Sequence, residues 1–211
     1  MTHHAYLPIH TSTMPDPILL DDGEWEGLPT PLSPGMVIAF NSTQHDLSLC
    51  SKGVSAANPK GYPIATNILL LNKTGDVVLQ ISIRRARNAV LFNAQAKESL
   101  LDGWGQSESI PLSMVNPSPL TSGLTISVCD RGDKYQILFN LSTVHYFAKR
   151  FPGPATSVVY LDKSNGKPTL TLSDSLTVHV RKIDTLPAHE RGPIESGKYV
   201  HVLQNCEIHN L

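Results

Sequence analysis

Cysteine is scarce in this chain: Cys50, Cys129 and Cys206 are the three present in 211 residues. An odd number at such wide spacing gives no disulfide framework, so reduced thiols in a cytosolic protein are expected. Aromatic residues make up 6%, and the tryptophans are Trp25 and Trp104. Neither sign of charge dominates, because 17 Lys and Arg stand against 18 Asp and Glu, a formal net charge of −1. The absence of a basic field argues against nucleic acid as a partner and against polybasic membrane attachment. No apolar run approaches the length of a membrane-spanning helix, so membrane insertion is not expected. The opening MTHHAYLPIHTSTMPDP lacks the apolar stretch of a secretory signal. A cytoplasmic location is expected, or secretion by a route without a signal peptide, with the sequons at Asn41, Asn72 and Asn140 unmodified. The nine histidines are scattered, with only His3 and His4 adjacent, which argues against a metal site. No cofactor is implied.

What the chain does contain is short alternating segments. With 40% hydrophobic and 17% charged residues it has enough apolar material for a packed core. Strand-like runs are Ala5–His10, Pro17–Leu20, Met36–Asn41, Thr66–Leu71, Val77–Arg84, Ala89–Ala94, Leu124–Cys129, Tyr135–Asn140, Thr143–Lys149, Ser157–Leu161, Thr169–Leu172 and Leu176–Lys182. Turn signals separate them, among them Pro34-Gly35, Arg131-Gly132-Asp133 and Ser164-Asn165-Gly166. Many short strands at this spacing predict an all-β antiparallel sandwich or barrel. Asp21–Pro34 and Gln44–Pro63 read as irregular, and Lys198–Gln204 reads as one further strand in the tail.

The stretch from Gly75 to Ser109 carries most of the functional information. Val77, Leu79, Ile81 and Ile83 alternate with Val78, Gln80, Ser82 and Arg84, the pattern of a strand with one buried face. Gln80, Ser82 and Arg84 then share the other face, and Asn93 on the returning strand can stand beside them. Trp104 follows a polar loop, set between Gly103 and Gly105. A saccharide ring has hydroxyls on its rim and C–H groups on its face. It is therefore held by fixed hydrogen-bonding groups plus an aromatic plate, which is the combination found here.

In these residues the chain resembles the galectin family, and most closely its members from mushroom-forming fungi. That family's sugar site carries His-x-Asn-x-Arg, then Val-x-Asn, then Trp-Gly-x-Glu-x-Arg. Here the three elements stand as Gln80-Ile81-Ser82-Ile83-Arg84, Leu91-Phe92-Asn93, and Trp104-Gly105-Gln106-Ser107-Glu108-Ser109. The similarity continues through Ile126–Asn140 and covers roughly residues 35–183. It implies a galectin-like jelly roll over residues 1–183, with residues 184–211 as a C-terminal extension. It also implies a lectin with oligosaccharides or glycoconjugates as ligands, assembly into a homo-oligomer, and no catalytic activity. Arg84, Asn93 and Trp104 fit the pattern. Gln80 stands where the family has the His that bonds the axial 4-hydroxyl of galactose, and Ser82 stands in place of Asn. Ser107 and Ser109 occupy the places of the Glu and Arg that pair with each other. Glu108 is offset by one residue, which on a strand turns it to the opposite face; a bulge in the loop would bring it back to orient Arg84.

The sugar-binding set is thus Gln80, Ser82, Arg84, Asn93, Trp104 and Glu108, for a β-galactoside or a related, N-acetylglucosamine-containing glycan with altered specificity. The rival is a galectin fold that has lost sugar binding and serves as a protein-interaction module. A glycosidase using Glu98, Asp102 and Glu108 is the third reading; nothing fixes two of these carboxylates at a set separation. Trp25, in another glycine frame, reads either as a second subsite or as cover for the sandwich edge. Arg131-Gly132-Asp133 reads as a turn.

Overall fold

The computed structural model describes residues 16–48, 65–98, 104–115, 123–164, 167–168 and 171–183. The strand readings at Ala5–His10 and Lys198–Gln204 lie outside these residues, as do Cys50, Cys206, Asp102 and most of the loop 44–63.

Alternating side chains produce strands almost throughout, in two six-stranded sheets. The first sheet runs in the order β1 (Ile18–Asp21), β14 (Ser175–Lys182), β3 (Met36–Ser42), β8 (Leu124–Asp130), β9 (Lys134–Phe139), β10 (Ser142–Ala148). The second runs β2 (Trp25–Leu32), β11 (Ala155–Leu161), β4 (Thr66–Asn72), β5 (Val77–Arg84), β6 (Ala89–Gln95), β7 (Glu108–Pro111). A two-residue ribbon pairs β12 (Lys163–Ser164) with β13 (Lys167–Pro168). All pairings are antiparallel. Ile68, Leu70, Leu79, Ile81, Val90 and Phe92 of the second sheet share one buried cluster with Ile38, Phe40, Ile126, Val128, Ile137 and Phe139 of the first. The period-2 pattern thus places one face of each sheet in a common core, which makes the architecture an all-β sandwich.

Two strands depart from the sequence reading. Trp25–Leu32 is not irregular but forms β2, although it contains Pro29 and Pro31. As an edge strand of its sheet, β2 needs ladder hydrogen bonds on one side only, so two prolines are tolerated. Glu108–Pro111 forms β7, the opposite edge. Thr169–Leu172 does not appear as a strand within the described residues; Leu172 makes a single bridge to His45.

The turns follow local chemistry. β5 and β6 are joined by one 3-10 turn, Arg85–Arg87, closed by Asn88 in the left-handed region at φ 50°. Gly132 at φ 97° turns β8 into β9, and its N–H donates to Asp130 Oδ1. Cys129 is a free, buried thiol, and burial pushes its pKa up to about 11 against the opposing charge of Arg131.

Candidate functional site

The outer face of the second sheet carries the predicted polar row, with one change of register. Val77 pairs with Gln95 and Gln80 pairs with Asn93, so β5 has one more residue than β6 over that interval. This bulge puts both Val78 and Leu79 into the core, each 1% exposed or less. Val77 is therefore on the outer face and Val78 on the inner one, the reverse of simple alternation. From Gln80 onward the alternation holds.

The pairings then define a grid. Asn93 stands opposite Gln80, and Gln80 opposite Leu69 of β4. Leu91 stands opposite both Ser82 and Ser109. Trp104 bridges to Gln95, the next outer-face position of β6 after Asn93. Trp104 is 40% exposed. Gly105 N–H donates to Ala94 O at 3.2 Å, which ties the tryptophan segment to the end of β6. The preceding loop is anchored at its start by Asp76, whose Oδ1 accepts from Lys97 N–H at 2.9 Å.

Each polar side chain on the shelf is held in a defined orientation. Gln80 Nε2 donates to Asn67 Oδ1 at 3.0 Å, and Asn67 in turn donates to Ala65 O. The Gln80 amide is thereby fixed with its oxygen as the remaining acceptor. Asn93 Oδ1 accepts from Ala94 N–H and from Arg150 Nη1, both at 2.9 Å. Both lone pairs of that oxygen are used, and Nδ2 keeps two donors with no partner among the described residues. Arg84 Nε donates to Ser82 Oγ at 3.2 Å. Burial, with the like charge of Arg87 second, holds the Arg84 pKa below its ordinary value; the guanidinium nevertheless remains charged.

The other two of the six candidates, Ser82 and Glu108, also bond to side chains of the protein. Ser82 is fully buried, and its hydroxyl accepts from Arg84 Nε and so steadies that side chain. Glu108 stands opposite Phe92, on the inner-face side of the edge strand. Its Oε1 accepts from Arg150 Nη2 at 3.0 Å and its Oε2 bonds His145 Nε2 at 2.8 Å. It therefore orients Arg150, not Arg84. A bulge does exist here: Gln95 meets Trp104 while Phe92 meets Glu108, so three steps on β6 match four on the other strand. That extra residue turns Glu108 inward and leaves Ser107 and Ser109 exposed.

Arg150, Asn67 and His145 were not legible as site residues. Arg150 follows β10, in the connection that crosses from the first sheet to the second, and stacks over Phe147 at 4.7 Å. His145 stacks on Phe92, with centroids 4.5 Å apart and planes 10° from parallel. Apart from the local stacking of Arg150 on Phe147, the bonds of Arg150 to Asn93 and Glu108, of His145 to Glu108 and of Asn67 to Gln80 join residues 13 to 57 positions apart, and the sequence carries no local signature of them. The one trace is Gly105, where an added Cβ would lie 2.7 Å from Arg150 Nη1. Trp25, 61% exposed, is opposite Val159, which is opposite Leu69. It therefore lies on the same outer face as Trp104 but at the far edge of the sheet.

No family model matches the chain. Among curated proteins it is 34% identical over 108 residues to galectin-1 of Coprinopsis cinerea, covering 50% of this chain and 65% of that one. Galectin-2 of the same fungus is 35% identical over 106 residues, with the same coverage. The chain thus spans just under two thirds of the length of these relatives. An anti-tumor lectin of Cyclocybe aegerita is 25% identical over 133 residues, which is 63% of this chain and 77% of that protein. In fold, a galectin of Caenorhabditis elegans superimposes with a TM-score of 0.51 at 14% identity, over 77% of this chain and 95% of its own. The chain is thus similar in sequence to fungal galectins and shares its fold with a galectin of known structure.

Proposed function

We propose that this protein is a lectin that binds a β-galactoside-type or N-acetylglucosamine-containing oligosaccharide on the outer face of its second sheet. The observation that carries this reading is the exposed Trp104 ring, bridged to β6 one outer-face position beyond Asn93. Trp104 stacks on the apolar face of one pyranose, Asn93 Nδ2 and the Arg84 guanidinium donate to its hydroxyls, and Gln80 Oε1 accepts. The names of the similar proteins support the same class, since they are galectins and a lectin.

The altered first motif element bears on specificity. Gln80 presents an amide oxygen fixed by Asn67, in place of an imidazole. Discrimination between epimers rests on the cost of leaving such a group unpaired, so a different acceptor geometry selects a different hydroxyl pattern. One shallow site of this kind binds with about millimolar to micromolar affinity. Several sites presented by a homo-oligomer then supply avidity.

A glycan array run with the parent and with Trp104→Ala tests the reading. A selective set of glycans bound by the parent and lost in the variant is expected. Absence of any glycan signal from the folded parent would overturn it and leave the protein-interaction module as the account of the fold.

A further inference from the structure

We infer that Arg150 is a positioning residue of the sugar shelf: it fixes the Asn93 amide and supplies the cation that Ser109 does not. This deepens the proposed lectin site and rests on that reading.

With Ser107 and Ser109 at the positions of an acid and a base, the third motif element has neither partner of an ion pair on the outer face. The pair exists nonetheless, assembled from different parts of the chain. Glu108, turned inward by the bulge, meets Arg150 across the open edge of the sandwich, with Nη2 and Oε1 3.0 Å apart. The other terminal nitrogen of the same guanidinium reaches Asn93 Oδ1 at 2.9 Å. One planar group therefore spans the edge strand, bonded to the shelf on one side and to the carboxylate on the other. A guanidinium suits this because its donors lie in a fixed fork, whereas an ammonium is a single rotating point charge.

The group is itself braced by its neighbours. Phe147 lies under it at 4.7 Å, Glu108 is braced by His145, and His145 stacks on the buried Phe92. Gly105 leaves the space it occupies: a Cβ there would come within 2.7 Å of Nη1. The consequence for recognition is directional. With Arg150 and Ala94 N–H both donating to Oδ1, the Asn93 amide cannot flip without losing two bonds. Nδ2 is left as the unbonded donor of a side chain whose residue is 7% exposed. Without Arg150 only the Ala94 N–H bond holds the amide, so a flip costs one bond instead of two and the ligand meets a less well fixed donor.

The test is a double-mutant cycle on sugar affinity, using the best array ligand with the full-length chain. Arg150→Met should weaken binding about tenfold in the parent but less than about twofold when Asn93 is already Ala, because the effect passes through that amide. Combined with Arg84→Ala, its effect should instead be additive. Gly105→Ala keeps the arginine but displaces it, and should reproduce the loss, again only while Asn93 is present. It covers the case in which Arg150→Met does not fold, which circular dichroism would show. Equal losses with and without Asn93, or no loss from either variant, would overturn the inference. A parent that binds no glycan would instead refute the lectin reading itself, so the two failures are distinct.

Discussion

Trp104 and Trp25 stand on the same face of the same sheet, at opposite edges, and both are exposed, at 40% and 61%. Their surroundings differ. Trp104 bridges to Gln95, and the adjoining Asn93 and Arg150 are bonded to each other, with Arg150 Nη1 beside Gly105. Across the sheet from Trp25 lie Val159 and then Leu69, which offer no hydrogen bond to a hydroxyl. An indole plate by itself gives affinity for any flat apolar face; oriented donors beside it make the site selective for a sugar. The accessible ring is common to both edges, and the polar framework belongs to one.

The largest effect should therefore separate the two rings. Trp104→Ala should abolish measurable binding, a loss of about 100-fold or more, while Trp25→Ala should change the affinity for a disaccharide by less than about twofold. Calorimetric titration of both variants checks this, and equal losses would break the comparison. Next in size, Asn93→Ala and Arg84→Ala should each weaken binding about tenfold, the loss of one fixed donor to a ligand.

Ser82→Ala sharpens the contrast between contact and support. The hydroxyl is buried, so its removal acts only through Arg84, with a loss of roughly threefold in affinity and about 1 kcal/mol in stability. Chemical denaturation beside the same titration would reveal both. A loss as large as that of Arg84→Ala would make Ser82 a direct contact after all.

The smallest effect concerns the anchor of the tryptophan loop. Lys97 N–H, followed by Asn72 Nδ2 and Thr74 Oγ1, holds the Asp76 carboxyl below the ordinary aspartate range. A pKa lowered in the folded state contributes stability above the unfolded value and loses it as pH falls through the lowered one. Asp76→Asn should thus have the lower melting midpoint near neutral pH and converge with the parent in strong acid. A difference that stays constant across that window would contradict the assignment.

These contrasts also show which features a sequence can carry. Alternation in Val77–Arg84 and Ala89–Ala94 is a local pattern, so the strands, their pairing and the row Gln80–Arg84 were legible. The bulge at Val78 was not, because adjacent apolar residues fit either face. β2 was hidden by Pro29 and Pro31, whose tolerance depends on being at an edge, a fact of topology. Glu108 was legible as a residue facing away from Ser107 and Ser109. Its partners were not, since Arg150 and His145 lie 42 and 37 positions away in sequence. Ser107 and Ser109 cannot form an ion pair, and the pair that is present joins Glu108 to Arg150 of the connection between the sheets, where no spacing rule applies.

The most direct measurement of the central claim is a two-dimensional NMR titration of the uniformly nitrogen-15-labelled protein, following the two indole N–H signals as an oligosaccharide from the array is added. The account predicts that the Trp104 signal shifts and saturates together with the Asn93 side-chain amide pair, while the Trp25 signal stays in place. Saturation of the Trp25 signal with Trp104 and Asn93 unmoved would contradict it.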